Sequence, residues 1–333
     1  MSTRPHVVVA RRIFPALIDE LKTSYDVQSN QEDVAPTPEL MSAWLANADG
    51  VLLSAGERID EDLLARAPRL EAVCNIAVGY NNIDLAACTR FGVLATNTPD
   101  VLNDATADHA WALLLAAARR VSESERWLRD GQWKRWTFDM FLGADFSGTT
   151  LGILGMGRIG RAIARRGRGF SMRIAYHNRT RLSPEQEEGA VWMPKEQLLR
   201  EADHLIVMVP YAPETQHLID AAELALMKPT AVLVNIARGG VVDDDALIAA
   251  LRERRIAAAG LDVFENEPKL RPGFLELENV VLTPHIASAT TRTREAMARL
   301  AMRNLAEILA GRRPPNLLNP EAWDNARARG AAG

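Results

Sequence analysis

The stretch Thr149-Thr-Leu-Gly-Ile-Leu-Gly-Met-Gly-Arg-Ile-Gly-Arg-Ala-Ile-Ala164 decides the fold. Leu151 to Leu154 is a short apolar run and reads as a buried strand. Gly155, Gly157 and Gly160 then spell G-x-G-x-x-G, and Arg161 to Arg168 continue with helical character. Strand, glycine turn and helix is the context that separates a dinucleotide site from a glycine-rich surface turn. The first glycine permits the tight turn, the second lets backbone approach a pyrophosphate, and the third lets helix and strand pack closely. The diphosphate then sits on the helix N-terminus.

Working outward, apolar runs follow at 173–176, 204–209, 231–236, 258–263 and 280–283, with helices expected at about 161–169, 195–200, 215–226 and 243–253. With 150–154 this makes six strands, the count of a doubly wound sheet. Before the fingerprint, strands are expected at Val7–Ala10, Gly50–Ser54, Glu71–Asn75 and Val93–Thr96, and helices at Ile13–Lys22 and Thr37–Ala48. This alternation is again a βαβ pattern with a parallel sheet. It has no second glycine fingerprint, so it is not expected to hold the cofactor. Two long helices, Asn103–Val121 and Thr290–Leu309, read as bridges. The expected fold is α/β, with two Rossmann-like doubly wound parallel-sheet domains and a cleft between them. Ser122 to Phe146 carries Trp127, Trp133, Trp136, Phe138, Phe141 and Phe146. It reads either as a segment folded on its own core or as an arm packing on a second subunit, the favoured reading, since aromatics are enriched at interfaces. The tail from Asp324 is expected to fray.

Composition narrows the function classes. The chain has 333 residues, enough for two domains, and 47% hydrophobic residues. Net charge is −4 with Lys and Arg scattered, which argues against a nucleic-acid partner. Arg165, Arg166 and Arg168 read as a solvated helix face. Cys74 and Cys88 show no metal-ligand spacing and no disulfide framework, so no metal is expected and the thiols fit a cytoplasmic protein. The N-terminus has no long apolar segment, so no signal peptide is expected. No apolar run approaches the ~20 residues that span a bilayer.

The end of the second strand, Ile174-Ala-Tyr-His-Asn-Arg-Thr-Arg181, chooses the cofactor. NAD-binding folds place an acid about 20 residues past the fingerprint, on the ribose 2′-hydroxyl. No carboxylate stands here. Asn178, Arg179, Thr180 and Arg181 offer neutral donors and cations, and arginine pairs well with a 2′-phosphate. NADP(H) is therefore expected over NAD(H), the alternative being that these arginines are surface charges. His177 reads as lying along the adenosine or as a plain surface residue.

Three later strand ends supply the chemistry, because ligands bind beyond the carboxyl ends of strands in open α/β sheets. Arg238 follows Val232-Leu-Val-Asn-Ile-Ala237. Asp262 and Glu267 lie in Gly260-Leu-Asp-Val-Phe-Glu-Asn-Glu-Pro268. His285 follows Val280-Val-Leu-Thr-Pro284. Singly, each has an ordinary structural reading. Together they suit reduction of a 2-oxo acid. Arginine clamps a carboxylate and stabilises charge on a carbonyl oxygen. A histidinium delivers the proton, and a neighbouring carboxylate orients its ring and favours its charged form.

These residues resemble the D-isomer-specific 2-hydroxyacid dehydrogenases. The matching stretches are Asn75-Ile-Ala-Val-Gly-Tyr-Asn-Asn-Ile-Asp84, Asn97-Thr-Pro-Asp100 with Thr106-Ala-Asp-His109, the glycine fingerprint, Val234-Asn-Ile-Ala-Arg-Gly-Gly240, Gly260 to Pro268, and Thr283-Pro-His-Ile-Ala-Ser288. They run through nearly the whole chain in family order. Ala175-Tyr-His-Asn-Arg179 and the aromatic segment are most similar to the glyoxylate/hydroxypyruvate and 2-ketogluconate reductases. The resemblance implies that Arg238 binds substrate, His285 is the acid–base and Glu267 its partner. It places Asp262 at the nicotinamide amide. It gives the substrate carboxylate the N–H groups of Val78 and Gly79, with Leu53 and Ser54 nearby. It lines the cofactor with Thr106, Arg158, Ile159, Val209, Pro210, Thr215, Ile236, Ala237, Ala287 and His285. Ala287 stands where many relatives have glycine, which adds a methyl beside the histidine. The resemblance also implies a discontinuous substrate domain, residues 1–100 and 287–333, a cofactor domain at 101–286, a cleft that closes on ligand, and a homodimer.

The expected activity is NADPH-dependent reduction of small 2-oxo acids such as glyoxylate and hydroxypyruvate, with 2-ketogluconate as an alternative. A phosphoglycerate dehydrogenase reading is weaker, since those enzymes typically use NAD and many carry an extra C-terminal domain. A formate dehydrogenase reading is weaker too, since that branch typically has glutamine where Glu267 stands. From another class, a non-catalytic NAD(P)-sensing binder of the corepressor type uses the same fold, but Arg238, Glu267 and His285 together argue against it.

Overall fold

A computed structural model describes residues 4–327. The chain divides into two compact units, one built from residues up to Leu102 together with those from Thr290 onward, the other from Asn103–Ala289.

The first unit opens with β1 (His6–Val9), α1 (Pro15–Lys22), β2 (Asp26–Ser29), α2 (Pro38–Leu45), β3 (Gly50–Leu53), α3 (Glu61–Ala65), β4 (Ala72–Asn75), α4 (Leu85–Arg90) and β5 (Leu94–Thr96). Its five strands are parallel in the order β2-β1-β3-β4-β5. Side chains alternate between two cores, as a pleated strand requires. Val7, Val9, Leu52, Cys74 and Leu94 enter one, while Val8, Val51, Leu53, Val73 and Ala95 enter the other. Both faces are covered, which is why these strands read as continuous apolar runs. The strand β2 was not expected. Asp-Val-Gln-Ser is an edge strand, nowhere fully buried, and carries no apolar run. Nor were α3 and α4, each under two turns long. Each starts at an aspartate cap, Asp60 accepting from the Leu63 N–H at 3.1 Å and Asp84 from Ala87 at 2.8 Å.

The second unit contains α5 (Asn103–Ala118), α6 (Val121–Arg129), β6 (Thr150–Leu154), α7 (Arg158–Gly169), β7 (Arg173–His177), α8 (Pro184–Glu187), β8 (Val191–Trp192), α9 (Lys195–Glu201), β9 (His204–Val207), α10 (Ala221–Leu226), β10 (Val232–Asn235), α11 (Asp244–Arg252), β11 (Ala258–Leu261) and β12 (Val280–Leu282). Its sheet is parallel, in the order β12-β11-β10-β9-β6-β7-β8. It has seven strands rather than six, because the two-residue β8 adds an edge beside β7. The helix expected over 215–226 is also shorter. Pro213–Thr215 is a single tight turn, and α10 starts at Asp220, whose carboxylate accepts from Ala222 N–H at 2.7 Å. Between them Ile219 pairs in parallel with Val242. The basic run on α7 is not merely solvated. Arg166 bonds Asp108 at 2.7 Å, and Arg168 donates to the Glu188 carbonyl at 2.6 Å.

The aromatic segment divides in two. Phe146 is buried, stacked on His204 at 4.7 Å and packed near Trp111, so this end of the expected arm belongs to its own core. Trp127 meets Phe141 edge-on, whereas Trp133, Trp136 and Phe138 are exposed.

The chain then returns to the first unit with α12 (Thr291–Leu309), capped by Thr290. Leu305 and Ile308 complete the core that holds Leu52 and Cys74. The expected fraying from Asp324 is corrected as far as Arg327. Asn319 bonds both Ala95 N–H and Val93 carbonyl at 2.9 Å, Ala326 is buried, and Arg327 donates to the Ala67 carbonyl at 2.7 Å. The rest of that tail lies outside the described residues. Among the described residues no helix is long and apolar enough to cross a membrane.

Candidate active site

The glycine loop is shaped as its sequence requires. Gly155 has φ +102°, and a Cβ there would lie 2.7 Å from the Met208 carbonyl. Gly157 caps α7 with no side-chain hydrogen bond, and Gly160 packs over Gly155. An α-helix leaves its first-turn N–H groups without intrahelical partners. A twelve-residue helix with a bare glycine start therefore fits a bound diphosphate. Arg158 is exposed and Ile159 half-buried on that first turn.

Past β7 the expected donors play different parts. Asn178 Oδ1 accepts from the Met156 N–H at 2.7 Å, so its side chain braces the glycine loop. Its carbonyl accepts from Trp192 Nε1 at 3.1 Å. His177 Nδ1 pairs with the Met193 carbonyl at 2.8 Å. Arg181 is not an available cation. It grips Glu187 through Nε at 2.7 Å and Nη2 at 3.1 Å, and the Tyr176 hydroxyl donates to the same carboxylate at 2.7 Å. Arg179 is exposed and has no ion-pair partner among the described residues, beside exposed Thr180.

Thr106 is buried on α5, and Ile236 and Ala237 are buried just past β10. Thr215 folds the loop after β9, donating to the Pro210 carbonyl at 2.8 Å and accepting from Ala212 N–H at 2.8 Å, with half-buried Val209 just before.

Arg238, Glu267 and His285 all lie in the second unit. His285 Nδ1 is 2.7 Å from Glu267 Oε2, and Glu267 Oε1 accepts from the Phe264 N–H at 2.9 Å. The carboxylate thus fixes the ring through Nδ1, and Nε2 has no partner among the described residues. Burial pulls the Arg238 proton affinity down while the Glu267 charge raises it. An arginine remains charged throughout. Its Nη1 donates to the Ala237 carbonyl at 2.8 Å. The next residue, Gly239, is obligatory, since a Cβ there would stand 1.7 Å from the Phe264 carbonyl oxygen.

Asp262, expected at the nicotinamide amide, bonds the loop of its own unit. Its side chain is fully buried. Oδ1 accepts from Thr283 Oγ1 at 2.6 Å and Ile286 N–H at 2.8 Å, and Oδ2 accepts from Ala287 N–H at 2.8 Å. His109 Nε2 lies 3.3 Å from Oδ1 and 3.0 Å from Thr283 Oγ1. Burial alone would raise its pKa, but His109, Thr283 and the two N–H groups overcome that and hold it below the usual carboxylate range. Asp262 therefore tethers the loop carrying His285, which sits at φ +53°. Strain of that kind costs ~1–3 kcal/mol and persists only where neighbours enforce it. His109 and Thr283 had no assigned role in the sequence, although both lie in matching stretches.

In the first unit, Leu53 is buried at the end of β3, and Ser54 donates through N–H and Oγ to Glu57 at 2.7 and 2.9 Å. Past β4, Asn97 Nδ2 donates to the Val78 carbonyl and Asn75 Nδ2 to the Gly79 carbonyl, both at 2.8 Å. The N–H groups of Val78 and Gly79 have no partner among the described residues. Asn97 thus fixes the peptide that carries the Gly79 N–H, and the Thr98 N–H, 2.9 Å from the Ala77 carbonyl, fixes the one that carries the Val78 N–H.

Residues 111–287 match the family model of the D-isomer specific 2-hydroxyacid dehydrogenase NAD binding domain. The chain belongs to this family of nicotinamide-dependent oxidoreductases. It is 50% identical over 323 residues to the glyoxylate reductase of Pyrococcus furiosus, covering 96% of each chain. It is 49% identical to that of Thermococcus onnurineus, covering 96% of this chain and 97% of the relative. Among solved structures, the NADPH-dependent glyoxylate/hydroxypyruvate reductase of Sinorhizobium meliloti, in complex with NADP and malonate, superposes with a TM-score of 0.86. It is 35% identical and is covered to 98%, against 96% of this chain.

Proposed function

We propose that this protein reduces glyoxylate to glycolate and hydroxypyruvate to D-glycerate with NADPH. The carrying observation is the His285–Glu267 pair, 2.7 Å apart through Nδ1 with Nε2 left free, in the same unit as Arg238. The glycine loop and the first turn of α7 would hold NADPH by its diphosphate, and the bound nicotinamide would supply the hydride that the carbonyl carbon needs. His285 Nε2 gives its proton to the carbonyl oxygen and is reprotonated from solvent. Glu267 keeps the ring in place through that transfer. Arg238 holds the substrate and stabilises charge growing on the oxygen. The N–H groups of Val78 and Gly79 are the assigned partners of the substrate carboxylate. Residues 101–286 are read as the cofactor domain, and 1–100 with 287–333 as the substrate domain. The archaeal glyoxylate reductases and the Sinorhizobium enzyme support this choice of substrate and cofactor.

Free Arg179 and the lack of an acid at the end of β7 support NADPH over NADH. The exposed Trp133, Trp136 and Phe138 support a homodimer through this arm. A monomer in sedimentation equilibrium would exclude it.

The test is initial rates for glyoxylate, hydroxypyruvate and 2-ketogluconate with each cofactor, on wild type and His285→Ala. The variant is expected to lose ~10²–10⁴-fold in turnover while keeping NADPH affinity. Turnover within a few-fold of wild type refutes the acid assignment. Absence of turnover by wild type with every pair favours the cofactor-sensing binder.

A further inference from the structure

The second unit holds another histidine–carboxylate pair, which the reaction above leaves unused. His217 Nε2 is 2.5 Å from Glu265 Oε1. Resting on the reductase reading, we propose that His217 clasps the loop of Arg238 to the loop of Glu267, and so is a positioning residue for the acid–base pair.

The His217 N–H donates at 2.7 Å to the carbonyl of Gly240, two residues beyond Arg238. The same strand-like segment continues the grip, with Ile219 N–H on the Val241 carbonyl at 3.2 Å and Asp243 N–H on the Ile219 carbonyl at 2.9 Å. The backbone of His217 is thereby fixed to the Arg238 loop. Its ring reaches the other loop, since Glu265 stands two residues before Glu267. Glu265 is held from a second side, its N–H donating to Asp244 Oδ2 at 3.0 Å. The two loops already touch where Gly239 meets the Phe264 carbonyl. Phe264 in turn donates its N–H to Glu267. One histidine therefore ties the peptide carrying the substrate arginine to the peptide that orients the acid.

His217 also sits at φ +49°, a conformation that side chains other than glycine adopt at a cost. The groups around the pair are Asp243, whose Oδ2 is 3.7 Å from His217 Nδ1, and Arg271, whose Nη2 is 3.6 Å from Glu265 Oε2 and 3.2 Å from Asp245. With Asp244 they complete the charged surroundings.

Two variants separate the ring contact from the backbone. His217→Asn tolerates the left-handed backbone but is too short to reach Glu265. His217→Gln restores an amide nitrogen near the place of Nε2. Glyoxylate reduction with NADPH is followed between about pH 5 and pH 9, where histidine chemistry shows, together with NADPH binding and thermal unfolding. H217N is expected to lose ~10–100-fold in kcat, the scale of a misplaced catalytic group. The midpoint of its pH–rate profile moves, its NADPH affinity is unchanged, and H217Q recovers most of the rate. Wild-type kcat and profile in H217N, or an H217Q as impaired as H217N, overturns the clasp. The ring resonances of His285, read in isotope-labelled protein, separate the two readings. If wild type reduces no 2-oxo acid yet those resonances move in H217N, the clasp stands and the reductase reading falls. If wild type turns over and neither resonances nor rates respond, the clasp falls.

Discussion

Replacing Asp262 with asparagine tests whether this carboxylate serves the cofactor or the loop. The buried side chain receives three short bonds, at 2.6, 2.8 and 2.8 Å, split between its two oxygens. Asparagine keeps one acceptor and turns the other into a donor. With its oxygen toward Thr283 and Ile286, its amide faces the Ala287 N–H, donor against donor. One buried N–H left unpaired costs ~1–3 kcal/mol. The remaining bonds lose their charge assistance, roughly half their strength. The loop also holds His285 in a left-handed conformation that itself costs ~1–3 kcal/mol. A loss of about 2 kcal/mol from the tether is comparable with that strain, enough to let His285 leave its place. At ~1.4 kcal/mol per factor of ten, kcat should fall roughly 10–100-fold. Steady-state kinetics gives kcat and fluorescence titration gives NADPH affinity, which should stay within a few-fold. A kcat within about two-fold of wild type, or an effect carried mainly by NADPH affinity, refutes the tether and restores a cofactor contact. Since the folded carboxyl lies below its ordinary 3.8, the tether is intact above that value and is lost only as pH falls through the folded pKa.

Arg179→Ala should weaken NADPH binding by about ten-fold or more while sparing NADH, measured as paired dissociation constants; equal losses would sink the 2′-phosphate role. Asp244 is pushed up to about 6 by burial, so its ionised form opposes folding. That penalty is absent below the unfolded value and fully present above about pH 6, reaching on the order of 2–3 kcal/mol. Asp244→Asn keeps the acceptor for Glu265 N–H, so it should raise the melting temperature at about pH 8 and leave it unchanged near pH 4. An equal gain at both pH values would show that ionisation is not the cause.

The strands legible in the sequence are those buried on both faces, such as Val232–Asn235 and Thr150–Leu154, because their residues are apolar without interruption. The edges β2 and β8 escape for the opposite reason, since one side faces away from any core. The fingerprint is readable because its glycines meet local demands: a positive φ at Gly155, close contact of Gly160 with the Gly155 carbonyl, and an open approach to the start of α7 at Gly157. The tether made by Asp262 is not legible, because a strand-end acid looks alike whether it faces a ligand or its own chain. Its partners His109 and Thr283 come from distant elements, and no spacing reveals them. Arg181 reads as a free cation in the sequence although its partner lies only six residues on. The turn that brings β8 back beside β7 carries Glu187 to it. His217 gave no signal, because its meaning comes from two loops that meet only after folding.

The first unit takes its core from both ends of the chain, whereas residues 103–289 are continuous. During synthesis the continuous unit can therefore complete itself first. The earlier residues must wait, because Leu305, Ile308 and Asn319, which close their core and the edge of β5, are made after it. A released fragment ending at Ala289 should thus resist protease over 103–289 and be cut within the preceding hundred or so residues; equal protection of both stretches would show that the sheet of the first unit stands without its returning helix.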